Sequence, residues 1–245
     1  MKSFCKTSVL EMLVLMLYLL LLAPDNLSGA EGDSAPKANP LRFKKQIDTF
    51  IKWDSKNSVP ADATLFVGSS SIVSWATHDF FPDMKVINRG FGGAHISDVN
   101  FFADSIVLPY KPKVIVFYAG DNDIAGKKSP KRVFDDYQRF VKLVRAELPK
   151  IPIIFIAIKP SIARWSLADR MNQANSMIED LSSRDDKLFF VDISVGLLDA
   201  AGKPDKKLFA RDGLHLNEAG YKVWTRMVKP VIITASLSTK PKKDD

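Results

Sequence analysis

Four short polar clusters in this 245-residue chain hold the side chains that could do chemistry. The first is Gly68-Ser69-Ser70-Ser71, where an apolar run breaks into three consecutive hydroxyls. The second is Asn88-Arg89-Gly90-Phe91-Gly92-Gly93, the third Gly120-Asp121-Asn122-Asp123, and the fourth Asp212-Gly213-Leu214-His215. In the fourth, a three-residue separation lets the carboxylate fold back onto the imidazole, fix its tautomer and stabilise its charged form. Such a pair can act as a general base. A serine within its reach becomes a nucleophile; otherwise Ser69, Ser70 and Ser71 are ordinary helix caps, a role open to all three.

These clusters need elements that bring them together. Short apolar runs rich in Val, Ile and Phe occur at Leu65 to Val67, Val86 to Ile87, Val114 to Tyr118, Ile153 to Ile158 and Leu188 to Ile193. None alternates cleanly, as expected of parallel strands buried on both faces. Between them lie amphipathic segments. The clearest runs from Pro130 to Leu148, with Ser129 to cap it, Pro130 in its first turn, and Val133, Phe134, Tyr137, Val141 and Val144 on one face. Phe43, Ile47, Phe50 and Ile51 mark a first helix between Leu41 and Trp53. Asn217 precedes a final helix expected to reach about Lys229 and stop at Pro230. Strand and helix in repeated alternation predict one α/β domain, a doubly wound, five-stranded parallel sheet with helices on both faces and right-handed crossovers. In such a sheet reactive groups gather at the carboxyl ends of the strands, and the first three clusters follow strands one, two and three.

Lys2 and Lys6 precede an apolar segment from Met12 to Ala23, then Pro24 and small residues to Ser28-Gly29-Ala30, a layout that predicts a secretory signal over residues 1–30. The apolar segment falls short of the ~20 residues a spanning helix needs, and cleavage before Glu31 would leave no stable membrane insertion. An uncleaved anchor is the alternative. The expectation is export, to a periplasm or to the exterior. Cys5, the single cysteine, would leave with the signal, so the remainder must fold by its core alone. Residues 31–40 read as a flexible leader, 41–237 as the single domain and 238–245 as a charged tail.

Lys2 and Lys6 would leave together with Glu11 and Asp25, so the formal net charge stays +7. The remaining lysines concentrate at Lys127 to Arg132, Lys203 to Lys207 and Lys240 to Lys243, which reads as a solvated surface and not as a nucleic-acid face. No phosphate loop and no dinucleotide glycine pattern follow the first strand, so no cofactor is expected. Asp121 and Asp123 lack the distributed ligand set of a closed calcium site, and no metal is expected.

Taken in order, the four clusters resemble the blocks of the SGNH, or GDSL-type, hydrolase family, over nearly all of residues 62 to 230. The resemblance implies a three-layer α/β/α sandwich of flavodoxin-like form and a serine esterase that needs no cofactor. The family's first block reads Gly-Asp-Ser; aligned without a gap, Ser69 stands on the aspartate and Ser70 on the nucleophile, and Trp75 falls where many members carry tryptophan. The departure at Ser69 removes a carboxylate that helps to support this block in relatives. The resemblance further implies Asp212 and His215 as the base. It implies an oxyanion hole from the backbone N–H groups of Ser70 and Gly93 and the side-chain amide of Asn122. Glycine at position 93 lets the backbone approach a substrate oxygen, and asparagine donates without changing charge. Read without the family pattern, the glycines make a turn, Asn122 is a loop residue between two aspartates, and Asp212 with His215 caps the last helix. His95, with no evident carboxylate partner, reads as a helix-entry residue.

The loop after the fourth strand presents Lys159, Arg164 and Trp165, which are expected to line the mouth of the site and contact a sugar or an acidic headgroup. Packing of Arg164 and Trp165 against the adjacent helix is the other reading. With no long insertion to form a lid, the expected substrates are short-chain acyl or O-acetyl esters of small molecules or carbohydrates. A catalytically weak carbohydrate-binding protein on the same fold and a sugar O-acyltransferase are the alternatives. The sequence carries no signal of an oligomeric state.

Overall fold

The computed structural model describes residues 39–238. The signal expected at 1–30, the leader up to residue 38 and the tail from residue 239 lie outside the described residues. Asn39 accepts a hydrogen bond from the Leu41 N–H at 2.9 Å and caps a 3-10 turn, Pro40–Phe43, which leads into helix α1 (Lys44–Asp54). Helical structure thus begins at Pro40, the last position of the segment expected to be a flexible leader.

Five parallel strands follow: β1 (Thr64–Gly68), β2 (Val86–Gly90), β3 (Val114–Tyr118), β4 (Ile153–Ile156) and β5 (Leu188–Val191), in the spatial order β2-β1-β3-β4-β5. The five expected runs are the five strands. Strand β2 is longer than its apolar dipeptide, because Asn88, Arg89 and Gly90 pair with Phe66, Val67 and Gly68 of β1. Polar residues are tolerated on this edge strand because Asn88 bonds the Ile72 and Trp75 carbonyls and Arg89 pairs with Tyr110 and Asp54.

Both faces of the sheet are covered, which explains the absence of alternation in the strand sequences. Leu65, Val67, Ile115, Phe117, Ile153 and Phe155 face one core with α1, α3 (Ile96–Phe101), α5 (Pro130–Glu147) and α6 (Ala168–Ser182), after α2 (Ser70–Val73) and α4 (Asp121–Ala125) have been placed at the strand ends. Phe66, Val116, Tyr118, Ile154 and Ile156 face the other core, closed by Trp75, Phe81 and α7 (Glu218–Leu237). The result is the expected three-layer α/β/α sandwich. Ser129 caps α5 by accepting from the Arg132 N–H at 3.1 Å, and Asn217 caps α7 through the Gly220 N–H at 3.1 Å.

Helix α7 does not stop at Pro230. It continues to Leu237, with Ser238 as its last cap and not as part of a tail. Tyr221, Trp224, Val228, Ile232 and Ala235 form one buried stripe that bridges the proline, while Pro230 itself is exposed. Pro230 and Arg226, four residues before it, lie on the exposed side of the helix, and burial of Ile232 and Ala235 beyond the proline favours continuing it.

From β1 the chain crosses outward to β2, whereas from β3 it crosses the opposite way to β4 and β5, so the crossovers leaving β1 and β3 diverge. A crevice at the carboxyl ends of these two strands is where this topology admits ligands. The Ser69 to Ser71 cluster follows β1, and Asn122 follows β3.

Candidate active site

The β1 terminus is built by close backbone contact. Gly68 has φ +143, and a Cβ on it would lie 1.8 Å from the Tyr118 carbonyl oxygen, so glycine is obligatory for room as well as conformation. The Ser69 N–H donates to that same oxygen at 2.9 Å, and the Phe91 N–H donates to the Gly68 carbonyl at 2.9 Å. These bonds lock the ends of β1, β2 and β3 together just before α2 begins at Ser70.

The three serines have three different surroundings. Ser69 is fully buried in the cap position of α2, but its hydroxyl makes no capping bond and has no hydrogen-bond partner among the described residues. Ser71 is also buried; its hydroxyl accepts from Lys159 Nζ at 3.1 Å, and its carbonyl accepts from the Tyr221 hydroxyl at 2.9 Å. Only Ser70 is partly open, with Oγ 2.9 Å from His215 Nε2.

The loop that carries His215 is a narrow turn. Phe209 and Leu216 form an antiparallel bridge, the Ala210 N–H donates to the His215 carbonyl at 2.8 Å, and Gly213 turns the chain at φ +64. Asp212 folds back as its spacing suggests. Its Oδ1 accepts from the N–H groups of Leu214 at 2.9 Å and His215 at 3.0 Å, and its Oδ2 lies 2.6 Å from His215 Nδ1. The hydrogen bond from His215, followed by the two backbone N–H groups, lowers the Asp212 pKa to about 2. An ionised carboxylate only accepts, so Nδ1 carries the ring proton and Nε2 presents a lone pair to Ser70.

Asn122 sits in the first turn of α4. Its Nδ2 donates to the Ala94 carbonyl at 3.2 Å and its Oδ1 accepts from Arg164 Nη2 at 3.0 Å. Gly93 adopts φ +77 with nothing within 4 Å of where a Cβ would stand. The protein itself therefore needs glycine there for its backbone angle and leaves the space in front of it open.

Lys159 does not line the mouth of the site as the sequence suggested. It is 1% exposed, with Nζ 3.1 Å from Ser71 Oγ, 3.1 Å from the Tyr118 hydroxyl and 3.4 Å from Asp121 Oδ2. Burial lowers its pKa, while the Asp121 charge raises it. A lysine in a short loop before a proline reads as solvated; its burial requires partners from β3, α2 and α4 that no local pattern reveals. Arg164 is mostly buried, hydrogen-bonded to Asn122 and ion-paired with Asp121. Trp165 is half-buried, with Lys203 Nζ 4.6 Å from its ring centroid.

Three residues of the sequence clusters, Asp121, Asn88 and Asp123, have contacts that the sequence did not assign to them. Asp121 joins Arg164, Lys159 and the Asn122 N–H at one buried carboxylate, and its place directly after β3 was the available signal. Asn88 donates to the carbonyls of Ile72 at 2.7 Å and Trp75 at 3.2 Å, tying β2 to α2. Asp123 accepts from the Ile96 N–H and from Lys128 Nζ at 2.7 Å, and Lys128 also reaches Asp136 at 2.9 Å. Asp121 and Asp123 thus point to different partners, and no group of three or more metal-binding side chains occurs among the described residues. His95 precedes α3, where its N–H donates to Asp98 at 2.9 Å, but it also has a carboxylate nearby, with Nδ1 3.9 Å from Asp123 Oδ1. Burial lowers its pKa.

No curated protein matches the sequence. Among solved structures, the chain is similar to a Streptococcus pneumonia protein whose name refers to platelet activating factor, with TM-score 0.71 and 20% identity over 92% of this chain and 100% of that one. It is also similar to a GDSL-like lipase from Bacteroides thetaiotaomicron, with TM-score 0.68 and 22% identity over 77% of this chain and 98% of that one. A carbohydrate esterase family 3 protein from Talaromyces cellulolyticus aligns with TM-score 0.60 and 19% identity over 71% of this chain and 98% of that one. At these identities the likeness is one of fold. The sequence itself matches the model of the GDSL-like lipase/acylhydrolase family over residues 68–223, well over half of its length. The chain belongs to the GDSL-like lipase/acylhydrolase family.

Proposed function

We propose that the protein is a serine esterase acting on short-chain acyl or O-acetyl esters through an acyl-enzyme. The observation that carries this reading is the continuous relay from Asp212 Oδ2 through the His215 ring to Ser70 Oγ, with contacts of 2.6 and 2.9 Å. In this reading Ser70 Oγ attacks the ester carbonyl carbon as His215 Nε2 takes the hydroxyl proton, and Asp212 stabilises the resulting imidazolium. The negative oxygen is held by the N–H groups of Ser70 and Gly93 and by Asn122 Nδ2. The first N–H groups of a helix have no partner inside it, which leaves that of Ser70 available. Breakdown returns the proton to the leaving alcohol. Water then attacks the acyl-enzyme with the same histidine as base.

Family membership supports acyl chemistry, and a carbohydrate esterase among the similar structures supports carbohydrate esters as substrates. The absence of a carboxylate at position 69 is compatible with this chemistry, because the Ser69 hydroxyl makes no hydrogen bond to His215 or Asp212. Acyl transfer to a sugar hydroxyl would use the same residues with an alcohol in place of water. Export directed by residues 1–30 and a single catalytic domain over 41–237 belong to the same proposal. Hydrolysis of p-nitrophenyl acetate by Ser69→Ala, Ser70→Ala and Ser71→Ala tests it, with a panel of acetylated sugars to rank substrates. Loss of activity only in Ser70→Ala beyond about 10³-fold is expected; an active Ser70→Ala refutes the assignment.

A further inference from the structure

The primary amide of Asn122 has two orientations of almost the same shape, and only one offers N–H to a negative oxygen. Packing does not choose between them. Two polar contacts do: Nδ2 donates to the Ala94 carbonyl at 3.2 Å, and Oδ1 accepts from Arg164 Nη2 at 3.0 Å. With oxygen and nitrogen exchanged, Oδ1 would face the Ala94 lone pairs and the amide –NH2 would face the guanidinium donors. Both contacts would become repulsive. In the observed orientation Ala94 takes one Nδ2 proton, and the second is left for a reacting oxygen.

Arg164 is itself fixed. Its Nη1 lies 3.1 Å from Asp121 Oδ2, and the two side chains are 19% and 3% exposed. Asp121 Oδ1 accepts from the Asn122 backbone N–H at 2.9 Å. One carboxylate therefore anchors both the peptide that carries Asn122 and the guanidinium that orients its amide. The planar guanidinium hydrogen-bonds the Asn122 oxygen through Nη2 while Nη1 is ion-paired with Asp121, an arrangement of two separated nitrogens that a lysine ammonium does not reproduce. Its charge also polarises the amide and strengthens the remaining N–H as a donor.

We propose that Arg164 is a positioning residue of this esterase, acting through Asn122 on the oxyanion and not by contact with substrate. The inference rests on the hydrolase reading above. It replaces the sequence expectation of a mouth-lining arginine, and it gives Asp121 the role of holding the pair.

A double-mutant cycle on the full chain tests it, using p-nitrophenyl acetate with wild type, R164Q, R164K, N122A, the N122A/R164Q double variant and S70A, each with its melting temperature. R164Q is expected to lower kcat about 10- to 100-fold with KM changed less than about twofold, and R164K to lie between R164Q and wild type. In the N122A background, R164Q should change kcat by less than about threefold, because the group it serves is gone. If R164Q does not fold, R164K with N122A supplies the same cycle. Equal fold losses in both backgrounds, or an effect confined to KM, would overturn the proposal by making Arg164 a substrate contact. A wild type no faster than S70A would overturn the hydrolase reading together with it, an outcome distinct from an additive cycle.

Discussion

Ser70 Oγ and His215 Nε2 stand 2.9 Å apart across 145 positions of sequence. The contact joins the helix that follows β1 to the turn that precedes α7, and it closes only because both ends are anchored. The Ser71 carbonyl accepts from Tyr221 of α7, and Trp75, just beyond α2, stacks against the same tyrosine at 5.9 Å between ring centroids. Packing of α7 on the sheet therefore helps to set the distance between Ser70 and His215.

The pH dependence follows from the other side of the imidazole. The His215 hydrogen bond, with the Leu214 and His215 N–H groups, lowers the Asp212 pKa to about 2, so this carboxylate stays charged throughout the acid limb. Loss of the Asp212 charge should therefore not lower kcat/KM until the pH approaches about 2, which a pH–rate profile of the wild type checks. Asp212→Asn should lower kcat by up to about 10⁴-fold, since the ring loses the acceptor that fixes its tautomer. For stability the sign is that of a depressed acid: the contribution of Asp212 is present above its unfolded value of 3.8 and is lost as pH falls through about 2.

Gly93 separates backbone strain from catalysis. Its φ of +77 disfavours a side chain, but nothing lies within 4 Å of an added Cβ. Gly93→Ala should cost only about 1–2 kcal/mol, a fall of about 2–8 °C in Tm, while kcat drops by up to about 10²–10³-fold. A kcat within threefold of wild type would remove its N–H from the oxyanion hole.

Lys128 neutralises two carboxylates beneath α3, with Nζ 2.7 Å from Asp123, 2.9 Å from Asp136 and 3.0 Å from Ser97 Oγ. Lys128→Met leaves Asp123 buried and unpaired, and should cost about 3–5 kcal/mol, or roughly 6–20 °C in Tm. Burial already raises the Asp123 pKa to about 6 against the pull of Lys128. With a folded value above the unfolded 3.8, its contribution to stability declines as pH rises through about 6. The variant should lose less stability at pH 5 than at pH 7.5, which thermal melts at the two values would reveal. Equal losses would contradict a buried charge as the cause.

Much of this was legible in short stretches of sequence. The buried runs Val114 to Tyr118 and Ile153 to Ile156 are strands because both of their faces are apolar, and the Asp212 to His215 spacing states its own geometry. The hidden parts depend on contacts between distant segments. Lys159 is buried because β3, α2 and α4 surround it with Tyr118, Ser71 and Asp121. Pro230 reads as a stop, yet it falls on the exposed side of α7, where a missing N–H costs least. Arg164 reads as lining the mouth of the site or as packing on the adjacent helix until the position of Asn122 is known.

Covalent capture by a fluorophosphonate probe tests the central claim most directly, since it requires an activated hydroxyl and does not require knowing the substrate. Peptide mass analysis should find the adduct on Ser70, no adduct in Ser70→Ala, and labelling slowed by at least about 10²-fold in His215→Ala. Labelling of Ser70→Ala at the wild-type rate, or an unlabelled wild type, would contradict a nucleophile at position 70.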